Sequence, residues 1–461
     1  MKKRYGKFYL VIIIALVALA FTWIYPNVTC GDVCTIANET TRAGIMDFFT
    51  MAFYSFYYRL NEIFYIFAIG GCYGVLHRTK AYRKMVDKVA NFVRGKEIIS
   101  TLVLTLVMGL YTAFCDQMLV LLAFIPFIIT VYLRAGRDRI TSILAAFGGM
   151  FIGSAGALLG TNGMARLMVS VGLEVNSGIL YKIVFFIASY VLFNLFTWLH
   201  IRKQTKLVDS TKYDLFNIEE LDESDLKPYK RTKVWPTAIV LGIFVVLALI
   251  SFVNWKESFN VSVFNDALVN FKAKADVLYH ILGDVEAFGN WTYITLSGMM
   301  IIFTLIISAM SKRTKYFLHD FGYGMKRISR VAIMYGLLHI IFMISYVYGW
   351  AFNPVVKLLS GKYGLFRLYF AALLISLLAI DPELIIYVLG LHMVSLYEEK
   401  LLGLSLIFNA GFSLVQVIAP TSVVLMIALT YLDVPYTKWV KEIWKYALSL
   451  LVVSLIILAL V

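Results

Sequence analysis

Long apolar stretches follow one another along this chain, and the short segments between them hold most of its basic residues. A helix needs about 20 apolar residues to cross a bilayer, and stretches that approach this length recur from Phe8 to Val461. Because 61% of the 461 residues are hydrophobic and only 15% are charged, too few polar side chains remain to cover a water-soluble protein. The sequence therefore predicts an all-α integral membrane protein with about 11 transmembrane helices.

The basic residues predict which segments share one side of the membrane. Of the 42 Lys and Arg residues, 31 fall in six segments, which are residues 1–7, 77–97, 134–139, 200–234, 311–330 and 433–445. Lys and Arg collect in cytoplasmic loops, so we place all six segments in the cytoplasm, together with the N-terminus. The same rule accounts for the net charge of +14. We therefore expect a lipid bilayer, and no nucleic acid, as the macromolecular surroundings of the chain.

Two apolar stretches have both flanks on the same side and a polar interruption in the middle. Residues 98–133 are interrupted at 116–117, and residues 365–398 are interrupted at 381–383. Each half of these stretches is short for a full crossing, which favours two re-entrant hairpins with acidic residues at their tips. Two full crossings in place of either hairpin remain an alternative, and in the second stretch they would leave residues 381–383 in an exposed turn.

Two further stretches are long enough for a crossing but contain residues that break a helix. Residues 140–173 are broken by Gly160-Thr161-Asn162-Gly163, and residues 401–432 are broken by Ala419-Pro420-Thr421-Ser422. Unpaired backbone cannot face lipid, so such a break marks a place inside the protein or beside a water-filled cavity. A simple kink at the proline, or close helix packing at the glycines, would explain either break taken alone.

The order of these segments repeats along the chain. Each half runs span, span, hairpin, broken helix, span, and the second half starts from the opposite face of the membrane. We therefore predict a first inverted repeat, a cytoplasmic linker, a connecting helix with an extracellular loop, and a second inverted repeat, at residues 1–199, 200–234, 235–290 and 291–461. Inverted repeats with interrupted helices are typical of secondary transporters, which bind their substrates near the bilayer midplane.

The candidate binding residues are those at the hairpin tips, at the helix breaks and on the approach to the second break. An ionisable group at membrane depth is expensive unless it has a partner or a function, and half-helix ends favour ions. The candidates are Asp116, Gln117, Thr161, Asn162, Gly163, Asp381, Glu383, Asn409, Gln416, Pro420, Thr421 and Ser422. The two breaks, at 160–163 and 419–422, are also where a coupling Na⁺ would bind. H⁺ is the other candidate coupling ion, and we expect no further metal or cofactor.

Several motifs, some of them at these residues, resemble a known family. They are Thr41-Arg42-Ala43-Gly44-Ile45-Met46-Asp47-Phe48-Phe49-Thr50, Ile69-Gly70-Gly71-Cys72-Tyr73-Gly74-Val75-Leu76, Pro126, Gly160-Thr161-Asn162, Ala419-Pro420-Thr421-Ser422 and Val434-Pro435-Tyr436-Thr437-Lys438-Trp439. Together they resemble the anaerobic four-carbon dicarboxylate carrier family, especially its YfcC-like members. The resemblance implies the ion transporter superfamily fold, with two re-entrant hairpins, a scaffold that dimerises and an elevator-like moving domain. We accordingly expect a homodimer in a bacterial cell membrane.

The resemblance also implies a range of substrates, and the departures from it bear on the choice. Family substrates include dicarboxylates, p-aminobenzoyl-glutamate, and amino acids such as arginine exchanged for ornithine. The first tip reads Cys115-Asp116-Gln117-Met118 where the family has a Glu-Glu-Thr-like run, and the second reads Asp381-Pro382-Glu383 where the family is rich in Ser and Gly. Gly163 stands where the family has Pro. Charge matching at such acidic tips favours a cationic or zwitterionic ligand over a dicarboxylate.

These observations predict a secondary active transporter, not an enzyme, that moves a small charged metabolite, either an amino acid or a carboxylate. Two alternatives remain open: a membrane-embedded acyl or glycosyl transferase with His339 as a base, and a transporter-like scaffold that has lost activity. The sequence also leaves open whether Cys30 and Cys34 form a disulfide or two free thiols.

Overall fold

The structure is a computed structural model, and it describes residues 2–115, 117–159, 163–204, 208, 210–216, 232–274, 277, 280, 286–378 and 382–460. Within these ranges the chain is almost entirely helical. We number the α-helices in chain order as α1 Lys2–Phe21, α2 Ile45–Tyr58, α3 Leu60–Arg78, α4 Lys80–Val93, α5 Glu97–Cys115, α6 Ile125–Arg134, α7 Arg139–Gly156, α8 Arg166–Ser170, α9 Ile179–Lys203, α10 Trp235–Ser251, α11 Trp255–Phe259, α12 Val263–Lys274, α13 Tyr293–Met310, α14 Phe317–Val347, α15 Phe352–Leu359, α16 Leu365–Leu378, α17 Pro382–Tyr397, α18 Leu401–Ile418, α19 Val423–Tyr431 and α20 Tyr436–Leu458.

Short 3₁₀ turns and one small hairpin complete the described secondary structure. The 3₁₀ turns are Met118–Ala123, Gly163–Ala165, Thr211–Tyr213, Thr314–Tyr316 and Glu398–Lys400. Strands β1 Val28–Cys30 and β2 Cys34–Ile36 pair antiparallel. A disulfide joins Cys30 and Cys34 across this hairpin, which resolves the alternative that the sequence left open.

Six helical segments within the described ranges are long and apolar enough to cross a membrane: Glu97–Cys115, Arg139–Gly156, Ile179–Lys203, Tyr293–Met310, Thr314–Val347 and Val388–Tyr431. Four shorter apolar helices accompany them, so the expected number of about 11 crossings stays a prediction. The segments differ in where they lie. The most apolar window is 94% buried inside the protein in α7 and 89% buried in the segment Val388–Tyr431, against 33% in α9 and α13. The helices that the sequence predicts to be broken therefore lie in the interior.

Three pairs of helices from the two halves pack antiparallel: α3 with α14, α7 with α18 and α19, and α9 with α20. Contacts at two levels establish the direction in each pair. For α3 and α14 they are Gly70 with Gly324 and Gly74 with Asp320. They are Asn409 with Ala155 and Arg139 with Asp433 for α7 with α18 and α19, and Ser189 with Tyr446 and Tyr181 with Leu460 for α9 and α20. A relation by inverted repeats requires equivalent helices to run in opposite directions. The superposition of the halves itself stays a prediction.

The first arm of each predicted hairpin packs parallel on the broken helix of its own half. Helix α5 lies on α7, where a Cβ on Gly153 would come within 2.6 Å of the carbonyl oxygen of Gly109. Helix α16 lies on α18, where a Cβ on Gly411 would come within 2.9 Å of the Ala372 Cβ. Small residues permit this close approach between membrane helices. At 19 residues, α5 is longer than the short arm that the sequence suggested.

The six segments predicted to be cytoplasmic meet at one end of the molecule, which we call the charged end. Polar contacts between their side chains or carbonyl groups join them into one network: Lys7 with Asp433, Arg139 with the Asp433 carbonyl, His200 with Asp138 and Glu442, Arg134 with Asp87, Arg137 with Glu97, Arg78 with Asp320, and Lys84 with the Thr232 carbonyl. The positive-inside pattern therefore groups segments that are neighbours in space.

The described part of the predicted linker is packed against the charged end. The Thr130 hydroxyl donates to Asp214 at 2.7 Å, and Phe216 stacks on His77 with ring centroids 5.5 Å apart. Burial raises the pKa of Asp214, in spite of the hydrogen bonds that it accepts from Thr130 and from the Phe216 amide. Residues 210–216 are thus part of the folded body, which their mixed charge did not indicate.

Candidate functional site

The first helix break begins earlier than the sequence predicts. Helix α7 ends at Gly156, and Ala157 takes the left-handed conformation with φ 41°. The next amide, that of Leu158, donates to the Ala113 carbonyl of α5 at 2.7 Å rather than to its own helix. Gly163 then opens a 3₁₀ turn with φ 52°, so the chain resumes its described course at the last residue of the predicted break. Thr161 and Asn162 lie outside the described residues.

Two side chains from other helices bind the carbonyl groups at this first break. The Asn409 amide of α18 donates to the Ala155 carbonyl at 3.0 Å. The ammonium of Lys182, at the start of α9, donates to the Val175 carbonyl at 2.8 Å and lies 3.4 Å from the Leu158 carbonyl. Donors at this position offset the partial negative charge of a helix C-terminus. Asn409 therefore belongs to the first break, although its place in the sequence suggested the second.

Lys182 was not among the predicted site residues. Its side chain is only 2% exposed, and a buried cation within a membrane-spanning helix marks a functional place by default. The signal in the sequence is a single Lys in the first turn of an otherwise apolar run, Ile179–Leu199. A basic residue at the end of a span is common in membrane helices, so the sequence alone does not distinguish Lys182 from such a residue.

The described residues at the tip of the first predicted hairpin contact both the first break and α13. Ala113 accepts the Leu158 amide, as described above, and the Tyr293 hydroxyl of α13 donates to Gln117 Oε1 at 2.8 Å. Gln117 is therefore held by a helix of the other half. Asp116, its neighbour in the predicted site, lies outside the described residues.

The second break falls where the sequence places it. Helix α18 ends at Ile418, Ala419 is extended, and α19 starts at Val423 after the N-cap Ser422. The Ser422 hydroxyl accepts the Leu425 amide at 3.3 Å and lies 2.8 Å from both the carbonyl and the side-chain oxygen of Gln416. Pro420 has no N–H with which to continue the helix, and Ser422 and Gln416 of the same segment contact each other across the break.

Neutral donors from α20 satisfy the last carbonyl groups of α18. The Tyr436 hydroxyl donates to the Ile418 carbonyl at 2.7 Å, and the Trp439 indole donates to the Val417 carbonyl at 2.9 Å. Thr421 is only 5% exposed, and its hydroxyl has no hydrogen-bond partner within the described part of the chain. At the first break, the side-chain oxygen of Asn409 is likewise buried without a hydrogen-bond partner among the described residues. Among the described residues at the two breaks, these two oxygens are buried acceptors that could bind a cation or a polar ligand.

The two breaks lie at different depths. Asn409 is level with Ala155 at the first break, and α18 continues for nine more residues before it ends at Ile418. At 1.5 Å per helical residue this separation is about 14 Å along the axis. The predicted residues therefore form two clusters: the first break with Asn409 and the first hairpin tip, and the second break with Gln416.

The second hairpin tip falls mostly outside the described residues. Asp381 is not described, and for Glu383 only the backbone in α17 is described. Two of the buried histidines, His392 and His339, each have a hydrogen-bonding group close to Nδ1. His392 Nδ1 accepts the Cys34 amide at 3.2 Å, and His339 Nδ1 lies 2.9 Å from the Tyr335 carbonyl. This geometry is that of packing residues in a helical bundle.

Comparison with known proteins adds three findings. A family model described as DcuC, C4-dicarboxylate anaerobic carrier, matches residues 7–346. Among solved structures, the chain is similar to the YdaH transporter of Alcanivorax borkumensis, at 14% identity and a TM-score of 0.41, with 99% of this chain and 98% of that chain covered. No curated protein matches the sequence significantly.

Proposed function

Because this chain belongs to the C4-dicarboxylate anaerobic carrier family, we propose that it is a secondary transporter of a small carboxylate. The observation that carries the proposal is the pair of buried helix breaks, each beside a hairpin arm of its own half. Non-helical backbone at membrane depth is tolerated only inside protein or beside water. The contact of Asn409 with the Ala155 carbonyl brings the second half to the break of the first. The transferase alternative has no comparable support.

Two features near the breaks favour an anionic substrate. Helix α19 begins at Val423 directly after the second break, and the N-terminus of a helix attracts negative charge. Lys182 places a buried cation beside the first break. Both features favour an anionic ligand, whereas the acidic tip residues suggested a cationic or zwitterionic one. We therefore propose a dicarboxylate ahead of an amino acid.

We propose Na⁺ or H⁺ as the coupling ion. The hydroxyl of Thr421 and the side-chain oxygen of Asn409 are buried acceptors without a donor among the described residues. Oxygen atoms of this kind bind alkali cations without any change of protonation, and their burial would be costly in the absence of a ligand. Exchange of one carboxylate for another remains a third mode of transport, which the same site would serve.

We further propose an elevator-type motion in a homodimer of the bacterial cell membrane, with the N-terminus in the cytoplasm. The close packing of α5 on α7 and of α16 on α18 supports a unit that moves as one body. The three antiparallel helix pairs support two inverted repeats, and the single charged end supports one cytoplasmic face.

The test is uptake of radiolabelled succinate into proteoliposomes, with and without a Na⁺ gradient. Thr421→Val removes the hydroxyl at the second break while it keeps the shape of the side chain. Thr430→Val is the matched control, because the Thr430 hydroxyl is also buried without a described partner but lies within α19, away from the break. We expect Thr421→Val to lower uptake more than about tenfold, a loss of ~1.4 kcal/mol or more, and Thr430→Val to leave it unchanged. Equal uptake by both variants would remove the second break from the site.

A thermal-shift screen separates the substrate classes. We expect stabilisation by C4-dicarboxylates, in proportion to the logarithm of their concentration above the Kd. Stabilisation by arginine or ornithine alone would reverse the assignment in favour of a cationic amino acid. A complete lack of response to both classes, with no uptake, would favour the inactive scaffold.

A further inference from the structure

An apolar cavity lies near the charged end, away from both helix breaks. Its volume is about 230 Å³, and its walls come from α3, α4, α10, α13 and the first hairpin. The residues that define it are Leu76, Tyr82, Phe127, Gly242, Met300 and Phe303. Close packing leaves few voids of this size in protein interiors, so an apolar occupant would stabilise the protein here.

One wall of the cavity is a helix with lipid on its other side. On α10, Ile239, Ile243 and Val246 are each at least 50% exposed, as expected of side chains in contact with hydrocarbon. Gly242, on the same helix, lines the cavity, and a Cβ placed on it would meet no atom within 4 Å. The wall is therefore open at this glycine. A flexible hydrocarbon chain from the adjacent leaflet matches both the access and the apolar lining.

The surroundings of the cavity favour a negatively charged headgroup. Met85 of α4 and Ala238 of α10 line the cavity, and the Lys84 ammonium joins these helices by donating to the Thr232 carbonyl at 2.9 Å. Lys88 and Lys233 are exposed on the same two segments. Basic residues of this kind attract anionic lipid headgroups at the cytoplasmic surface.

We propose that this cavity binds one acyl chain of an anionic phospholipid, with the headgroup over Lys88 and Lys233. Ala123 and Phe124 of the first hairpin form part of the wall, and Phe124 packs on Phe244 of α10 with ring centroids 6.4 Å apart. The lipid chain therefore lies between the hairpin and α10, where its presence or absence alters the contact between the two. This site is independent of the proposed carboxylate site.

The experiment is native mass spectrometry of the full chain in detergent after incubation with phosphatidylglycerol or with phosphatidylcholine of identical acyl chains. Gly242→Leu fills the cavity, and Gly298→Leu is the matched control, because Gly298 is on a membrane helix with equally open space but does not line the cavity. We expect the wild type and Gly298→Leu to retain phosphatidylglycerol and Gly242→Leu to retain more than about tenfold less, since the added side chain occupies space that the acyl chain needs. Equal retention by the two variants would overturn the proposal, as would a wild type that retains no lipid.

Three further variants guard against ambiguity. If Gly242→Leu fails to fold, Ala238→Leu fills the same cavity from one turn earlier on α10, and the same result is expected. Replacing both Lys88 and Lys233 with Gln removes the two exposed charges, and we expect the preference for phosphatidylglycerol over phosphatidylcholine to fall at least about threefold. Lys441→Gln, an exposed lysine elsewhere at the charged end, should keep the preference. A wild type that retains both lipids equally would refute the anionic headgroup.

Discussion

The two helix breaks occupy equivalent places in the predicted order of segments, yet they are closed in different ways. At the first break, the carbonyl groups bind Asn409 and Lys182, which come from α18 and α9. At the second break, Ser422 and Gln416 of the same segment bind each other, and neutral donors from α20 complete the closure. The second break is therefore fixed largely by local sequence, whereas the first depends on helices that are distant in sequence.

This difference has a consequence for the mechanism that we propose. A break held by distant side chains changes whenever those helices move, whereas a break held by its own segment moves as a rigid piece. At the first break, the ammonium of the buried Lys182 contacts the Leu158 carbonyl, whereas the second break is closed by neutral groups. We therefore expect the loss of the charged donor at the first break to have a larger effect on stability than the loss of a neutral donor at the second break.

The largest difference between the breaks should be in the loss of stability when the glycines that contact the first hairpin arms, Gly153 and Gly411, are replaced. A Cβ on Gly153 would come within 2.6 Å of a backbone oxygen that cannot move away, whereas on Gly411 the closest atom is the Ala372 Cβ at 2.9 Å. Gly153→Ala should lower the free energy of unfolding by about 3 kcal/mol, and Gly411→Ala by about 1 kcal/mol.

Detergent unfolding curves measure both losses. Gly298→Ala, where a Cβ meets nothing within 4 Å, is the control and should leave stability unchanged. If Gly153→Ala and Gly411→Ala lower the free energy of unfolding equally, the contact of α5 with α7 is no tighter than the contact of α16 with α18.

The next effect concerns the donors at each break. Lys182→Met leaves the Val175 and Leu158 carbonyls without their charged donor, and we expect a loss of about 2–3 kcal/mol together with most of the succinate uptake. Tyr436→Phe removes one neutral donor from Ile418 and should cost about 1 kcal/mol, with uptake preserved. Thermal unfolding and uptake are measured on the same preparations. A Lys182→Met protein with wild-type uptake would show that the cation serves packing alone.

A smaller effect is expected where the two halves touch. Asn409→Ala removes the amide that donates to the Ala155 carbonyl, for a loss of about 1–1.5 kcal/mol. Gln416→Ala at the second break should lose a similar amount, but only Asn409→Ala should weaken the contact between halves. Hydrogen exchange over the last turn of α7 distinguishes them, and faster exchange in both variants would argue against our grouping of Asn409 with the first break.

The smallest effects are expected at two N-cap residues, Asp138 at the start of α7 and Ser422 at the start of α19. Burial would raise the pKa of Asp138, which caps α7, but hydrogen bonds from His200 and Thr141 outweigh it and hold this pKa below its usual range. A carboxylate with a lowered pKa stabilises the fold above the pKa of the unfolded chain, about 3.9, and this contribution is lost as the pH falls through the folded pKa.

Melting curves between pH 8 and pH 3 test this contrast. Asp138→Ala should lose about 0.5–1 kcal/mol at pH 8, and the gap to the wild type should narrow below pH ~4. Ser422→Ala removes an uncharged cap of similar worth, so its loss should not vary with pH. A parallel pH dependence in both variants would exclude the charge of Asp138 as the cause.

Several features of the fold were predictable because they depend on neighbours in the sequence. The apolar runs predicted the helices, and Pro420 predicted the second break, since a missing N–H interrupts a helix wherever the residue stands. The basic loops predicted which segments meet at the charged end. The motifs at 41–50, 69–76 and 160–162 predicted the family, which the match over residues 7–346 confirms.

Other features were decided by contacts between residues far apart in the chain. Helix α7 ends at Gly156 because the Leu158 amide finds a carbonyl of α5, and no pattern within residues 140–173 encodes that partner. The grouping of Asn409 with the first break, the burial of Lys182 and the docking of Asp214 onto Thr130 have the same origin. The sequence by itself determined which segments are helical, where the proline interrupts one and which ends carry charge. Only the tertiary structure decided which donor meets which carbonyl, because each backbone group at a broken helix must find a partner in space.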